Sequence, residues 1–246
     1  MIFSYIKQLI KPKKKNMIIA IGDVHGKLSK LVEALEKFKD DPAIDFVQLG
    51  DFGLGFDNPI KEYKRLKDIN FILSKNNHRM WVIRGNHDNP CYWGKGSSME
   101  LSQISFVKDG TVMELNGKKC FFSGGAISID RTNRIKGVSY WENEKYKWVD
   151  VEKPDNIDYV FTHDVYHQCS PFNVYSERTK YWFERDQNLR QDLIDSQEKM
   201  EKLHEWLVSI NPNFSWYHGH YHESTFTTIE NQKTYCLSEL EFKEVI

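Results

Sequence analysis

The chain has 246 residues, with 34 Lys and Arg against 35 Asp and Glu, a formal net charge of −1, and 40% apolar and 14% aromatic residues. That length and apolar content suit one α/β domain with a sizeable core and exclude a disordered chain. The balanced charge excludes a global field for holding nucleic acid and leaves only a local basic patch as a route to it.

Residues 1–16 carry Ile2, Phe3, Ile6, Leu9 and Ile10 at helical spacing, followed by Lys11, Lys13, Lys14 and Lys15. A secretory signal would place its charges first and end at small residues, and this segment does neither. It reads as an N-terminal extension packed loosely on the domain. The other reading is weak amphipathic contact with an acidic membrane surface. No stretch approaches the roughly 20 apolar residues that span a bilayer. The domain proper is expected over 17–246. Cys91, Cys120, Cys169 and Cys236 are scattered with no CxxC pair, which argues against a disulfide framework and for a reducing cytoplasm.

Met17–Ile21 is a continuous apolar run ending in Gly-Asp and reads as a buried strand. Leu28, Leu31, Val32, Leu35 and Phe38 recur at three and four and predict a helix. Asp45–Leu49 is a second strand, Ile60–Leu73 a second helix and Met80–Ile83 a third strand. This β-α-β-α-β order implies parallel strands with right-handed crossovers. Thr111–Leu115 and Lys118–Phe122, joined by Asn116-Gly117, predict a hairpin. Tyr159–Thr162 is another buried strand, and one long helix is expected over Glu184–Val208. Trp216–Tyr217, Thr225–Ile229 and Thr234–Leu237 read as short strands, the last two joined through Asn231-Gln232.

Polar groups stand where strands end, the place where open α/β sheets bind ligands. The ends carry Asp23 and His25, then Asp51, then Asn86, His87 and Asp88, then His163, then His220 and His222. Carboxylates, imidazoles and an amide suit borderline or hard cations, and a carboxylate can bridge two of them. A pair of metals can clamp a phosphoryl group and lower the pKa of bound water. His167 lies near enough to compete with His163, but His163 directly follows its strand. His218 reads as a strand residue, and His78 and His204 as surface residues.

The ordered set Asp-x-His, Gly-Asp, Gly-Asn-His-Asp, strand-end His and Gly-His-x-His runs from Asp23 to His222. It resembles the calcineurin-like metallophosphoesterase superfamily. The stretch Gly124–Arg131 is similar to small single-domain bacterial and phage members. The resemblance implies an α/β fold of two packed mixed β-sheets flanked by helices. It also implies an enzyme, a metal-dependent phosphoric ester hydrolase with two divalent ions. Manganese is expected, and iron, zinc or nickel are compatible. Asp23, His25 and His222 would hold one ion and Asn86, His163 and His220 the other, with Asp51 between them. His87 would stand by the leaving group, and a metal-bridging hydroxide would attack phosphorus in line.

The expected substrate is a phosphodiester or phosphomonoester of a nucleotide or other small molecule. The Ser/Thr protein phosphatases of the superfamily carry an Asp and an Arg where this chain has Leu54 and Gly55, which weakens that alternative. A nuclease would need a basic track, which the charge balance does not supply. A non-catalytic scaffold would not need His87 beside a full ligand set. Arg84, Arg131 and Arg134 are the candidate phosphate contacts, because guanidinium matches phosphate geometry. For Arg131 and Arg134 a solvated basic loop is the alternative. The aromatics Tyr166, Phe172, Tyr175, Tyr181, Trp182 and Phe183 read as packing for the long helix, with base stacking beside Arg178, Lys180 and Arg185 as the other option.

Overall fold

A computed structural model describes residues 17–94, 101–172 and 177–246. The expectations for residues 1–16 and for Tyr175 lie outside these. In chain order the elements are β1 (Met17–Ile21), α1 (Leu28–Leu35), β2 (Ile44–Gln48), α2 (Pro59–Lys75), β3 (Arg79–Val82), β4 (Ile104–Phe106), β5 (Thr111–Leu115), β6 (Lys118–Ser123) and β7 (Tyr159–Thr162). There follow α3 (Glu177–Phe183), α4 (Leu189–Val208), β8 (Ser215–His218), β9 (Thr225–Ile229), β10 (Gln232–Cys236) and β11 (Phe242–Glu244).

The strands form two mixed sheets, one in the order β11-β1-β2-β3-β4 and the other β5-β6-β7-β8-β10-β9. In the first, β1 through β4 run parallel and β11 closes the edge antiparallel to β1. In the second, β6, β7, β8 and β10 run parallel between antiparallel edges.

The continuous apolar run of β1 follows from burial on both faces. Ile18 and Ala20 meet Phe122, Phe161 and Tyr217 of the second sheet. Ile19 and Ile21 face Leu31 and Leu35 of α1 and Leu66 and Ile69 of α2. On the far side, Phe121, Val160 and Trp216 pack against Met200, Leu203 and Leu207 of α4. The result is a helix–sheet–sheet–helix sandwich, as the resemblance implied. Each fully buried large side chain in it contributes about 1.5–3 kcal/mol of transfer free energy. No helix among the described residues is long and apolar enough to cross a membrane.

Three local expectations need correction. The long helix begins at Leu189, because the Asp186 side chain accepts the Asn188 N–H at 3.1 Å and competes with helix continuation. The last hairpin turns at Glu230-Asn231, since Gln232 already pairs with Ile229 and Glu230 takes φ +53°. His78 and His204 are not free surface residues. His78 is buried; its Nδ1 accepts the Ile44 N–H at 3.1 Å and its Nε2 donates to the Phe38 carbonyl at 3.1 Å. His204 stacks on Tyr166 at 4.0 Å and bonds Gln232 at 2.6 Å.

Candidate metal centre

The parallel strands send their carboxyl ends to one rim, where the loops of both sheets meet. Asp23 and Asp51 are 0% and 1% exposed, and each spends one oxygen on a neighbouring loop. Asp51 Oδ1 accepts the His87 N–H at 2.8 Å, and Asp23 Oδ1 accepts the His220 N–H at 3.1 Å. The other oxygen of each, Oδ2, is buried with no hydrogen-bond partner. Two orphaned carboxylate oxygens in one place are costly unless positive charge sits beside them.

The nearby imidazoles converge on those oxygens. His25 Nε2 lies 2.8 Å from His222 Nε2, and His222 Nε2 lies 3.1 Å from Asp23 Oδ2. His25 Nε2 is 3.5 Å from Asp23 Oδ2 and 3.8 Å from Asp51 Oδ2. Donor atoms of Asp23, His25, Asp51 and His222 all lie within 4.8 Å of one another. Such spacings suit ligands that share a cation through bonds of about 2.0–2.2 Å. This donor set, with its orphaned oxygens, fits a divalent metal ion.

A second group adjoins it. His163 Nε2 is 2.9 Å from Asn86 Oδ1 and 3.4 Å from Asp51 Oδ1, and the His220 ring centroid is 5.1 Å from that of His163. His163 Nδ1 donates to the Leu49 carbonyl at 2.7 Å, which orients the ring and aims Nε2 at the carboxylate. Burial opposes a charge on His163, yet the Asp51 and Asp23 carboxylates push its pKa up to about 10. They draw positive charge to this point, which a proton or a cation would supply alike. His167 is exposed on a short turn, away from the cluster.

Backbone strain marks the same residues. His25, Asp51, His220 and His222 take φ values of +47°, +51°, +71° and +55°, in the left-handed region that side chains other than glycine rarely enter.

Residues 17–224 match the family model described as calcineurin-like phosphoesterase. The chain belongs to the calcineurin-like phosphoesterase family. It is accordingly a metal-dependent phosphoric ester hydrolase, and the cluster around Asp23 is a group whose donors could hold a metal ion. A search of curated proteins finds no sequence match. Among solved structures, a Thermus thermophilus protein is 12% identical, covers 93% of this chain and 97% of its own, and superposes with a TM-score of 0.50, a likeness of fold. A structure described as a novel archaeal phosphodiesterase is 14% identical, covers 93% of this chain and 98% of its own, and has a TM-score of 0.44.

Several parts of the phosphoesterase site had no role assigned from sequence. Asp88 is wholly buried and accepts four backbone amides, from Phe52, Gly53, Leu54 and Gly85, at 2.7–3.2 Å. It ties the loop after β2 to the loop after β3. Burial and the Asp51 charge push its pKa up to about 6 against those amides.

Asn86 is held by a clamp. Its Nδ2 donates to Ser128 Oγ at 2.9 Å, and Ser128 Oγ donates onward to Glu144 Oε2 at 2.7 Å. Glu144 is fully buried, and burial pushes it up to about 7 despite its two bonds from Ser128. The Gly124–Arg131 stretch was visible as a motif. Only its fold against Asn86 gives Ser128 a purpose. Supports of this kind hold ligands in register. Ser128→Ala is therefore expected to weaken metal binding about 10–100-fold, read by titrating metal-stripped protein with Mn²⁺. Unchanged affinity would show that Asn86 needs no such support.

The three candidate phosphate arginines part company. Arg84 is 5% exposed and spends its guanidinium on Asp109 and on the carbonyls of Asn143, Glu144 and Lys145. Arg131 pairs with Asp186 at 2.5 Å and Asp192 at 2.6 Å, pinning the start of α4. Both bond partners outside the metal cluster, and we propose that both act as structural anchors. Arg134 makes a forked pair with Asp130 at 2.6 and 2.8 Å and reaches His87 Nε2 at 3.3 Å. Burial, with the Arg134 and His25 charges, outweighs Asp51 and lowers His87 to about 4.

Arg131→Ala should cost about 2 kcal/mol of stability. That is a melting point lower by roughly 4–8 °C, with KM for a phosphoester unchanged. Arg134→Ala should raise KM with a small change in melting point. The reverse pattern would restore Arg131 to the substrate site.

The aromatic segment mostly packs, as expected. Tyr166 is fully buried, and Phe172, Trp182 and Phe183 lie against Ile127, Leu189 and Leu193. Tyr181 is exposed, with the Arg185 guanidinium 3.5 Å from its ring centroid.

Proposed function

We propose that this phosphoesterase binds two divalent cations and hydrolyses a phosphodiester or phosphomonoester of a nucleotide or another small molecule. The observation that carries the reading is the pair of buried, orphaned Oδ2 atoms of Asp23 and Asp51, faced by imidazole nitrogens 2.8 Å apart. Asp23, His25 and His222 would hold one ion and Asn86, His163 and His220 the other. Asp51 has one oxygen toward His163 and the other toward His25, the placement a shared ligand needs. When bound, the cations supply an activated water and neutralise the phosphate charge. Mixed nitrogen and oxygen donors suit manganese, with iron, zinc or nickel also compatible.

The chain's own residues do the remainder. His87 Nε2, 3.8 Å from Asp51 Oδ2, stands at the edge of the cluster and would hydrogen-bond the ester oxygen that leaves. Arg134, beside it, would hold a non-bridging phosphate oxygen. Asp88 and the Ser128–Glu144 pair keep the loops in place, so the site needs little reorganisation during reaction.

The test uses metal-stripped protein reloaded with Mn²⁺ and compares bis(p-nitrophenyl) phosphate with p-nitrophenyl phosphate. Metal-dependent release of nitrophenol is expected. His87→Ala should retain metal and lose turnover about 10²–10³-fold, the range for one hydrogen-bond donor to the charge that develops on the leaving oxygen. Metal binding without turnover of any ester would sink the catalytic reading and favour a scaffold.

A further inference from the structure

A cavity of about 330 Å³ opens beside the metal cluster, between the Gly124–Arg134 loop, the segment after β7 and α4. That volume lies in the range of small-molecule sites. Two of its walls are apolar. Ile127, Ile129 and Leu193 form one, and Phe172 and Tyr221, stacked at 6.4 Å and 28°, form another. Its floor is polar. Ser196 lines the cavity from the middle of α4, and its Oγ is buried, in a residue 4% exposed, with no hydrogen-bond partner. A serine inside a helix ordinarily bonds back to the preceding turn or points to water. This one does neither. Gln197 lines the cavity next to it. Apolar and aromatic side chains beside hydrogen-bonding ones suit a planar heterocycle, which stacks by its faces and hydrogen-bonds by its edge.

A second cleft, of about 360 Å³, lies on the other side and is lined by His25, Gly26, Gly53, Phe56 and Glu239. His87, Arg134 and His222 line both spaces. A phosphate held at these three residues would have room for an organic group in either space. A monoester has one such group and a diester has two.

We infer that the substrate is a nucleotide phosphodiester, with a nucleobase in the 330 Å³ cavity over Ser196 and Gln197 and the second ester arm in the cleft beside Phe56. The inference rests on the phosphoesterase reading, but its first test needs no turnover. Saturation-transfer NMR of the full-length protein with adenosine and uridine, against ribose 5-phosphate as control, reports base contact directly. Nucleoside signals are expected from the wild type and should weaken sharply in Ser196→Leu, whose bulkier side chain intrudes on the cavity. Ser196→Ala provides a second readout that a merely structural serine would not give. Removing an unpaired buried hydroxyl should raise the melting temperature while weakening nucleoside binding.

The second test compares the p-nitrophenyl ester of thymidine 5′-monophosphate with bis(p-nitrophenyl) phosphate and with thymidine 5′-monophosphate. The thymidine diester is expected to be turned over in preference to the monoester. In Ser196→Leu its kcat/KM relative to the bis-aryl ester should fall at least about tenfold. Nucleosides that do not bind, or that bind Ser196→Leu equally, overturn the assignment of the cavity whether or not the protein hydrolyses esters. Nucleosides that bind as expected beside a preference for the monoester overturn the two-armed substrate. Binding without hydrolysis of any ester overturns the phosphoesterase reading and the diester with it.

Discussion

Asp51→Asn is expected to abolish hydrolysis, by about 10³-fold or more, and to leave the protein with less than its full metal content. The magnitude follows from the several kcal/mol that metal ions supply to a phosphoryl transition state, at about 1.4 kcal/mol per tenfold. An asparagine side chain has the same shape and can still accept the His87 N–H that Asp51 Oδ1 now accepts at 2.8 Å, so the loop after β3 should stay in place. What changes is Oδ2. An orphaned, buried anionic oxygen becomes an amide donor aimed at imidazole nitrogens. The charge that draws cations to the cluster is lost. The same change should lower the melting temperature of metal-free protein near neutral pH, because Asp51, held well below the usual carboxylate range by the imidazoles around it, is the counter-charge of the buried His163 ring. Elemental analysis for metal, turnover of a chromogenic ester and a melting curve of stripped protein read the three effects. An Asp51→Asn protein that holds full metal and stays active within about tenfold of wild type would remove Asp51 from the centre of the site.

Gly85→Ala is expected to destroy the metal cluster although every ligand remains. A Cβ at Gly85 would stand 2.0 Å from Asp51 Oδ1 and 2.1 Å from Asp51 N. Neither atom can yield cheaply. The first is locked by the His87 N–H, and the second belongs to a residue already at φ +51°. The loop after β2 must move, and Asp51 moves with it. Overpacking of this kind costs about 1–3 kcal/mol or more, a melting point lower by roughly 2–12 °C. Metal affinity should fall beyond the 10–100-fold of an outer-shell change. Gly219→Ala should behave similarly, since its Cβ would lie 2.2 Å from Asp23 Oδ1. Gly94→Ala, whose Cβ meets only the Cys91 carbonyl at 3.3 Å, provides the mild comparison. Equal effects at Gly85 and Gly94 would mean that close approach to the carboxylate is not the reason for glycine.

Much of the molecule was legible in its residues. The unbroken apolar run Met17–Ile21 announces a strand buried on both faces, and Asn116-Gly117 announces a hairpin, which the structure builds with φ +50° and +76°. These are local signals, set by side-chain period and by backbone freedom. The carboxylates and imidazoles at the strand ends were equally plain, because parallel strands deliver their carboxyl ends to one rim.

Other features belong to the tertiary structure alone. Arg84, Arg131 and Arg134 look alike in the chain, but only packing commits Arg84 to carbonyls about sixty residues on, Arg131 to Asp192 of α4, and Arg134 to His87. His78 reads as a surface residue until Phe38 and Ile44 supply its two partners. Ser128 and Glu144 acquire a purpose only when they close on Asn86. The left-handed φ values of His25, Asp51, His220 and His222 arise from contacts that no stretch of sequence contains. Strand and turn propensities act between near neighbours, so the chain itself determined the strands and the residues at their ends. Hydrogen bonding and burial act between groups brought close from far along the chain, so the fold decided which of those residues stand close enough to share a cation and which arginine remains beside His87.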